Sequence, residues 1–152
     1  MKRKLKLRIC VRLRKLTIGD YEAITGLWTK AKLSVKPRGR DSREAIAAEM
    51  AANPDFFVGA FEDNNLIGII VLSCDLRKGW ANRLAVDPEC RRRGVACALI
   101  AEAEKIFRRR GVKLFCALIE EGNVVSKQLF KHCGYSEDRS IAYFSKRDNE
   151  DV

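Results

Sequence analysis

A strand, a basic turn and an amphipathic helix follow one another between residues 80 and 110, and this run constrains the fold most strongly. The segment Trp80–Val86 is typical of a strand, and a helix is predicted from about 94 to 110. Gly111 ends this helix, and Val112–Ile119 is again typical of a strand. The buried face of the helix is predicted to hold Val95, Leu99, Ile100, Ala103, Ile106 and Phe107. Two strands joined through a helix lie parallel in one sheet, which predicts an α/β or α+β protein.

The segments before this unit add one strand and two helices. Leu5–Leu13 alternates apolar residues with Lys or Arg, which predicts a half-buried first strand. Thr17 and Asp20 indicate the cap of a helix, and a second helix is predicted over residues 42–52. The residues predicted to face inward from the two helices are Ile24, Leu27, Trp28, Ala31, Ile46 and Met50.

Further strands complete a mixed central sheet flanked by helices. Phe56–Phe61 and Leu66–Cys74 are predicted strands joined by a hairpin turn at Asp63-Asn64-Asn65. A helix is predicted over residues 123–132, and Ile141–Ser145 is the predicted last strand. The expected architecture is therefore a sheet sandwiched between helices.

The composition is that of one globular domain spanning residues 1–152, with a core of about 7–146 and an acidic, frayed tail at 147–152. Its 47% apolar and 33% charged residues exclude a disordered chain. Six scattered cysteines without a C-x-x-C pair predict neither a metal site nor a disulfide scaffold, and the single histidine, His132, disfavours a Ser-His or Cys-His hydrolase. No apolar run is long enough to span a bilayer, and the start alternates apolar and charged residues, so a cytoplasmic protein is expected.

The formal net charge of +10 is unevenly placed. Eight Lys and Arg residues lie in the first fifteen positions, with no acid before Asp20. This basic face could meet RNA, ribosomes or an acidic protein, or it could be the solvated side of an edge strand. Composition leaves the choice between a monomer and a homodimer open.

The turn before the central helix has the properties of an anion site. The first N–H groups of a helix have no helical partner, and the helix dipole favours negative charge at this end. Gly94 allows close approach of the backbone, and the preceding Arg91-Arg92-Arg93 supplies guanidinium groups. These features suit a pyrophosphate.

Two motifs resemble those of the GNAT acyl-CoA N-acyltransferases. Arg91-Arg92-Arg93-Gly94-Val95-Ala96 is similar to the family's [Gln/Arg]-x-x-Gly-x-[Gly/Ala] turn. Asn123, followed by Ser126, Leu129, Phe130 and then Gly134-Tyr135, resembles its C-terminal Asn-x-x-Ala-x-x-Leu-Tyr-x-x-x-Gly-[Phe/Tyr] run. The order of elements resembles that fold over about residues 7–146, and small single-domain prokaryotic members are the most similar.

The resemblance implies acetyl-CoA as cosubstrate and an N-acetyltransferase that acts on a primary amine by direct attack on the thioester. It implies that the backbone of Leu84, Ala85 and Val86 binds the pantetheine arm, and that an N–H near Leu84 polarises the thioester carbonyl. The pyrophosphate would lie on Arg91, Arg92, Arg93, Gly94, Val95 and Ala96. Asn123 and Ser126 would contact the cofactor arm, although an Asn at a helix start is also a good cap. Lys127 and Lys131 could reach the 3′-phosphate or simply form the solvated face of their helix.

One departure affects the acid–base chemistry. Phe130 stands where the family usually has the tyrosine that protonates the leaving thiolate, and a phenyl ring cannot donate a proton. A thiol with a pKa near ~8.5 can still leave with help from water. Tyr135 or Tyr143 could substitute.

The acceptor amine also needs a base and a binding surface. The base that accepts the proton of the amine is expected to be Glu120, with Glu121 and Asp75 as alternatives. Leu33–Arg40 is the expected acceptor groove, which Trp28 and Trp80 could shape, and its Lys36, Arg38 and Arg40 suit an acidic peptide or a small anionic amine.

Two other functional classes compete with the enzyme. An acyl-CoA-binding sensor without turnover is favoured by Phe130. A nucleic-acid-binding protein is suggested by the basic first strand, but the chain lacks an aromatic single-strand-binding set or a helix-turn-helix pattern.

Overall fold

The central strand of the sheet is covered on both faces. The structure, a computed structural model, describes residues 11–152. In it, six consecutive residues of β3 (Asn65–Cys74), from Ile67 to Leu72, are buried. A Cβ at Gly68 would meet side chains of the helix that follows residue 94, whereas Val71 lies in a pocket with residues of the first two helices. Helices therefore pack on opposite faces of one sheet.

Within the described residues 11–152, five strands form this sheet in the order β1-β2-β3-β4-β5. The bounds are β1 Arg12–Lys15, β2 Phe57–Glu62, β3 Asn65–Cys74, β4 Lys78–Val86 and β5 Leu114–Ala117. The first four strands pair antiparallel, and β4 pairs parallel with β5. The mixed sheet and its parallel strand–helix–strand unit agree with the sequence prediction.

Within residues 11–152, four α-helices accompany the sheet. The bounds are α1 Tyr21–Lys30, α2 Arg43–Ala52, α3 Val95–Arg109 and α4 Val124–His132. The residues predicted to face inward from the first two are buried, except Ala31, which follows the end of the first helix and is half-buried. All six residues predicted for the inner face of α3 are buried. Single turns of 3-10 helix at Ile18–Asp20 and Pro88–Cys90 precede α1 and α3. Within residues 11–152 no helix combines the length and apolar character needed to cross a bilayer.

The predicted strand at each end of the chain differs from the structure. Most of the predicted first strand, residues 5–10, lies outside the described residues, and β1 continues to Lys15. Ile141–Ser145 is not a strand, so this prediction is wrong. The backbone of this segment pairs with no strand among residues 11–152. Its large apolar side chains are exposed, with Phe144 at 90% exposure.

The acidic tail, for which the sequence predicts a frayed end, lies against the loop between α1 and α2. The ammonium of Lys36 donates a hydrogen bond of 2.7 Å to the carbonyl oxygen of Glu150. The carbonyl of Asp151 lies so close to Gly39 that a Cβ there would overlap it.

Candidate active site

A bulge interrupts β4 at the point where the site begins. Ile69 pairs with Ala85 and Val71 pairs with Asn82, so one residue of β3 faces two residues of β4. Arg83, one of these two, has a φ of 45°, which is unusual for a residue with a side chain. The bulge therefore changes the direction of β4 just before Leu84.

Beyond this bulge, β4 and β5 separate. Their parallel pairing covers Lys78–Ala81 against Leu114–Ala117 and extends no further. The backbone of residues 82–86 therefore has no partner strand on the β5 side among the described residues. Leu84, Ala85 and Val86, which the family resemblance assigns to the cofactor arm, form this open edge. An extended molecule can pair with such an edge as an additional strand.

The loop that leads into α3 presents a row of backbone donors. Arg92 and Gly94 both adopt positive φ, at 59° and 82°. Among the hydrogen bonds of residues 11–152, none uses the backbone N–H of residues 92–97 as donor. Gly94 is the N-cap of α3 and offers no side chain to satisfy them. The loop therefore has the unpaired donors on which the anion site proposed from the sequence depends, and binding of an anion here stays a prediction.

Contacts with the sheet fix this loop in place. A Cβ at Gly68 would lie 2.8 Å from Cγ1 of Val95, so the first turn of α3 rests directly on β3. Arg93 forms an ion pair of 2.7 Å with Glu62, and Arg91 Nε donates to the carbonyl oxygen of Val86 at 3.4 Å. Two of the three predicted phosphate-binding arginines thus also anchor the loop.

The predicted residues of α4 take largely structural positions. Asn123 caps the helix, since its Oδ1 accepts a hydrogen bond of 3.0 Å from the N–H of Ser126. Lys127 forms ion pairs with Glu121 at 2.8 Å and with Glu137 at 3.1 Å. Lys131 also forms an ion pair with Glu137, at 2.9 Å. The two lysines therefore lie in a surface ion-pair network.

Phe130 is buried and packs edge to face against Tyr135, with ring centroids 5.0 Å apart. Burial and the nearby carboxylate of Glu104 raise the pKa of Tyr135. Its phenol therefore keeps its proton at neutral pH. Tyr143, the other tyrosine considered as a substitute acid, is 72% exposed and lies in the irregular segment after α4.

A pocket of about 290 Å³ opens on the α1 and α2 face of the sheet, where β4 and β5 separate. Asn82 and Arg83 of the bulge and Leu118 just after β5 form one side. The other lining residues come from β2, β3 and the α1–α2 region: Trp28, Arg40, Asp41, Ile46, Glu49, Phe57 and Val71. The predicted acceptor loop contributes Arg40, and Trp28 contributes its indole, whereas Trp80 lies elsewhere on β4.

Arg83 of β4 contacts residues on the opposite side of this pocket. Its guanidinium lies 3.9 Å from the centroid of the Trp28 ring and donates a hydrogen bond of 3.0 Å to the carbonyl oxygen of Ser34. It also lies 3.6 Å from the buried carboxylate of Asp41, which accepts the N–H of Lys36 at 2.8 Å. The indole N–H of Trp28 is buried without a hydrogen-bond partner among the described residues.

The carboxylates predicted as bases are not among the residues that line this pocket. Glu120 is exposed, Glu121 is paired with Lys127, and Asp75 accepts the N–H groups of Arg77 and Lys78 in its own turn. The pocket instead contains Glu49, which sequence reasoning missed. The helical spacing could have indicated Glu49, because it follows the inward-facing Ile46 by three residues and therefore flanks the inner face of α2.

No three His, Cys, Asp or Glu side chains within residues 11–152 are grouped as metal ligands would be. The chemistry that the pocket's own side chains and backbone offer is that of carboxylates, guanidinium groups and amides.

Comparison with known families matches residues 21–135 to the acetyltransferase (GNAT) family. An acetyltransferase of Photorhabdus laumondii subsp. laumondii is 34% identical over 130 residues, which cover 84% of this chain and 89% of the relative. A spermidine N(1)-acetyltransferase of Thermoplasma acidophilum is 31% identical over 124 residues, covering 71% of this chain and 76% of the relative.

Comparison with solved structures gives the same fold. The PaiA N-acetyltransferase of Thermoplasma acidophilum, in complex with coenzyme A, superposes with a TM-score of 0.70 at 27% identity. The superposition covers 81% of this chain and 87% of that one. Both sequence motifs, at residues 91–96 and 123–135, lie within the region that the family match spans.

Proposed function

This chain belongs to the GNAT family of acetyltransferases, and on that premise we propose that it transfers an acetyl group from acetyl-CoA to a primary amine by direct attack on the thioester. The observation that carries the proposal is the adjacency of two open backbone surfaces. Among residues 11–152, the edge of β4 at residues 82–86 has no partner strand on the β5 side, and it leads through the turn at Asp87 to the backbone N–H groups of residues 92–97, which donate no hydrogen bond. A long ligand with a diphosphate at one end and an amide-rich arm at the other is complementary to both surfaces.

Each part of the site then has a role. The N–H groups around Gly94 bind the diphosphate, and Arg92, which is exposed, adds charge. The edge of Leu84, Ala85 and Val86 hydrogen-bonds the pantetheine arm. A backbone N–H near Leu84 stabilises the oxygen of the thioester carbonyl as negative charge develops there. One such donor commonly lowers the barrier by about 2.7–4 kcal/mol.

The experiment that tests this function incubates the protein with acetyl-CoA and a panel of primary amines, and monitors release of free thiol. Amine-dependent release supports the acetyltransferase. Acetyl-CoA that stabilises the protein against heat, without release for any acceptor, supports the acyl-CoA sensor instead. RNA binding that depends on salt and survives saturation with CoA would favour the nucleic-acid-binding alternative.

Phe130→Tyr is expected to raise kcat by up to about tenfold, because a phenol near the leaving sulfur supplies the general acid that a phenyl ring at this position cannot provide. The gain is smaller than general acids usually provide because a thiolate already leaves readily. Steady-state rates of thiol release at pH 7 measure it. Phe144→Tyr makes the same chemical change on a side chain that is 90% exposed, and its kcat should equal that of the parent protein. Equal rates for both variants would place position 130 away from the leaving group.

A further inference from the structure

The pocket beside the β4 bulge is lined by two carboxylates, and one of them has no partner for its side chain among residues 11–152. Asp41 is engaged by Arg83, by Arg40 and by the N–H of Lys36. The side chain of Glu49, by contrast, forms no hydrogen bond or ion pair with any of residues 11–152, and it is open to solvent at the pocket. A carboxylate in that position is free to receive a cationic ligand.

The surroundings of Glu49 favour proton transfer. Packing of protein atoms around the carboxyl, together with the charge of Asp41, raises the pKa of Glu49, and Arg83 opposes this shift. Arg40 is the remaining charged group that lines the pocket. A carboxylate with a raised pKa is a better proton acceptor than a fully solvated one.

A guanidinium in the same lining is only weakly engaged. The side chain of Arg40 is 47% exposed and approaches Asp41 no closer than 4.0 Å. Because Asp41 is already shared with Arg83 and Lys36, Arg40 retains donors for an anion. Lys36 and Arg38 lie in the same loop and disfavour an acceptor that carries only positive charges.

We propose that this pocket takes a primary amine that also carries a carboxylate, with Glu49 as the base for the amine and Arg40 as the contact for the carboxylate. The inference rests on the acetyltransferase function proposed above. It assigns the base to α2, in place of Glu120, and it favours an acidic peptide N-terminus or a similar small amine over a polyamine.

The reaction balances without any further reactant. Glu49 takes one proton from the bound ammonium, and the lone pair of the resulting amine forms a bond to the carbonyl carbon of the thioester. The carbon–sulfur bond breaks, and its electron pair leaves on sulfur, which takes a proton from water to become the free thiol. The second proton of the attacking nitrogen passes to water, and the product is an amide.

The first part of the test compares Glu49→Gln with Glu44→Gln, a matched change on an exposed residue of the same helix. With the dipeptide amide Ala-Glu-NH2 as acceptor, kcat/KM of Glu49→Gln is expected to fall about a hundredfold at pH 7. The loss should shrink as the pH approaches about 8, the pKa of a peptide amine, because the free amine then needs no base. Glu44→Gln should behave as the parent protein throughout.

The second part compares two acceptors that differ by one charge, Ala-Glu-NH2 and Ala-Gln-NH2. The parent protein is expected to prefer the acidic acceptor by about tenfold in kcat/KM, and Arg40→Gln should abolish this preference. Lys32→Gln removes an exposed charge from the same connection between α1 and α2, outside the predicted acceptor groove and the pocket lining, and it should retain most of the preference. Spermidine serves as the cationic acceptor and should be the poorest of the three.

The possible outcomes distinguish failure of this inference from failure of the proposed acetyltransferase function. If acetyl-CoA neither stabilises the parent protein nor yields thiol with any amine, the proposed function fails. If turnover is observed but Glu49→Gln matches Glu44→Gln, or if spermidine is the best acceptor, the function stands and the inference is overturned. Heat stabilisation of every variant by acetyl-CoA would show that the changes leave the cofactor surface intact.

Discussion

Replacing Gly94 by valine is expected to abolish the heat stabilisation that acetyl-CoA confers, while the unliganded protein still folds. At about 100 times its dissociation constant a ligand adds roughly 2.7 kcal/mol to the free energy of unfolding. For a chain of this size that corresponds to a rise in Tm of about 5–10 °C, which differential scanning measures directly. Gly94→Val should show almost none of this rise.

Two physical effects of the substitution can be separated. The φ of 82° at Gly94 is unfavourable for any L-residue with a side chain, at a cost of about 1–2 kcal/mol. A Cβ there would meet no protein atom within 4 Å, so the fold itself has room for the change. The branched side chain instead occupies the space in front of the free N–H groups, which a phosphate must approach closely.

Gly111→Val is the matched control, at the opposite end of α3. Gly111 also has a positive φ, 77°, and a Cβ there would meet no atom within 4 Å, so it carries the same backbone penalty. Its unliganded Tm should fall as much as that of Gly94→Val, yet it should keep the full stabilisation by acetyl-CoA. A normal acetyl-CoA shift in Gly94→Val would mean that the phosphates bind at another place.

Gly79→Ala is expected to lower the free energy of unfolding substantially, although it adds only one methyl group. A Cβ at Gly79 would lie 2.5 Å from Cγ and Cδ1 of Phe107, a ring that is fully buried. The ring also stacks on Phe115, with centroids 5.8 Å apart, so it has little freedom to move away. Overpacking of this kind costs about 1–3 kcal/mol, or about 2–4 °C in Tm for each kcal/mol.

Gly26→Ala makes the same chemical change as Gly79→Ala, but it is expected to raise the free energy of unfolding. Gly26 lies exposed inside α1, and a Cβ there would meet no atom within 4 Å, so alanine should stabilise the helix by about 0.5–1 kcal/mol.

Combining Gly79→Ala with Phe107→Leu should lower the free energy of unfolding by less than the sum of the two single changes, because the smaller side chain relieves the overlap. Denaturant unfolding of the parent protein, the two single variants and the double variant measures this coupling. Strictly additive costs would show that the ring is not the obstacle.

The local elements of this protein are predictable because short-range patterns encode them. The apolar stripe of α3 repeats with the helical period, and Gly94 and Gly111 bound it where a helix needs a cap and a stop. The antiparallel hairpin of β2 and β3 follows from two apolar runs around a polar turn. The same local information fails at Ile141–Ser145, where strand propensity meets no neighbouring strand within residues 11–152.

Patterns along the chain thus specify the order of elements, the two family motifs and the helix N-terminus at Gly94. They do not specify where β4 bulges, where β4 and β5 part, or that Glu49 of α2 lies in the pocket with Arg83 of β4. Helix periods and caps depend on residues a few positions apart, so the local sequence determines them. Strand register and the pocket depend on packing between segments far apart in the chain, and they became visible only when the folded molecule brought those segments together.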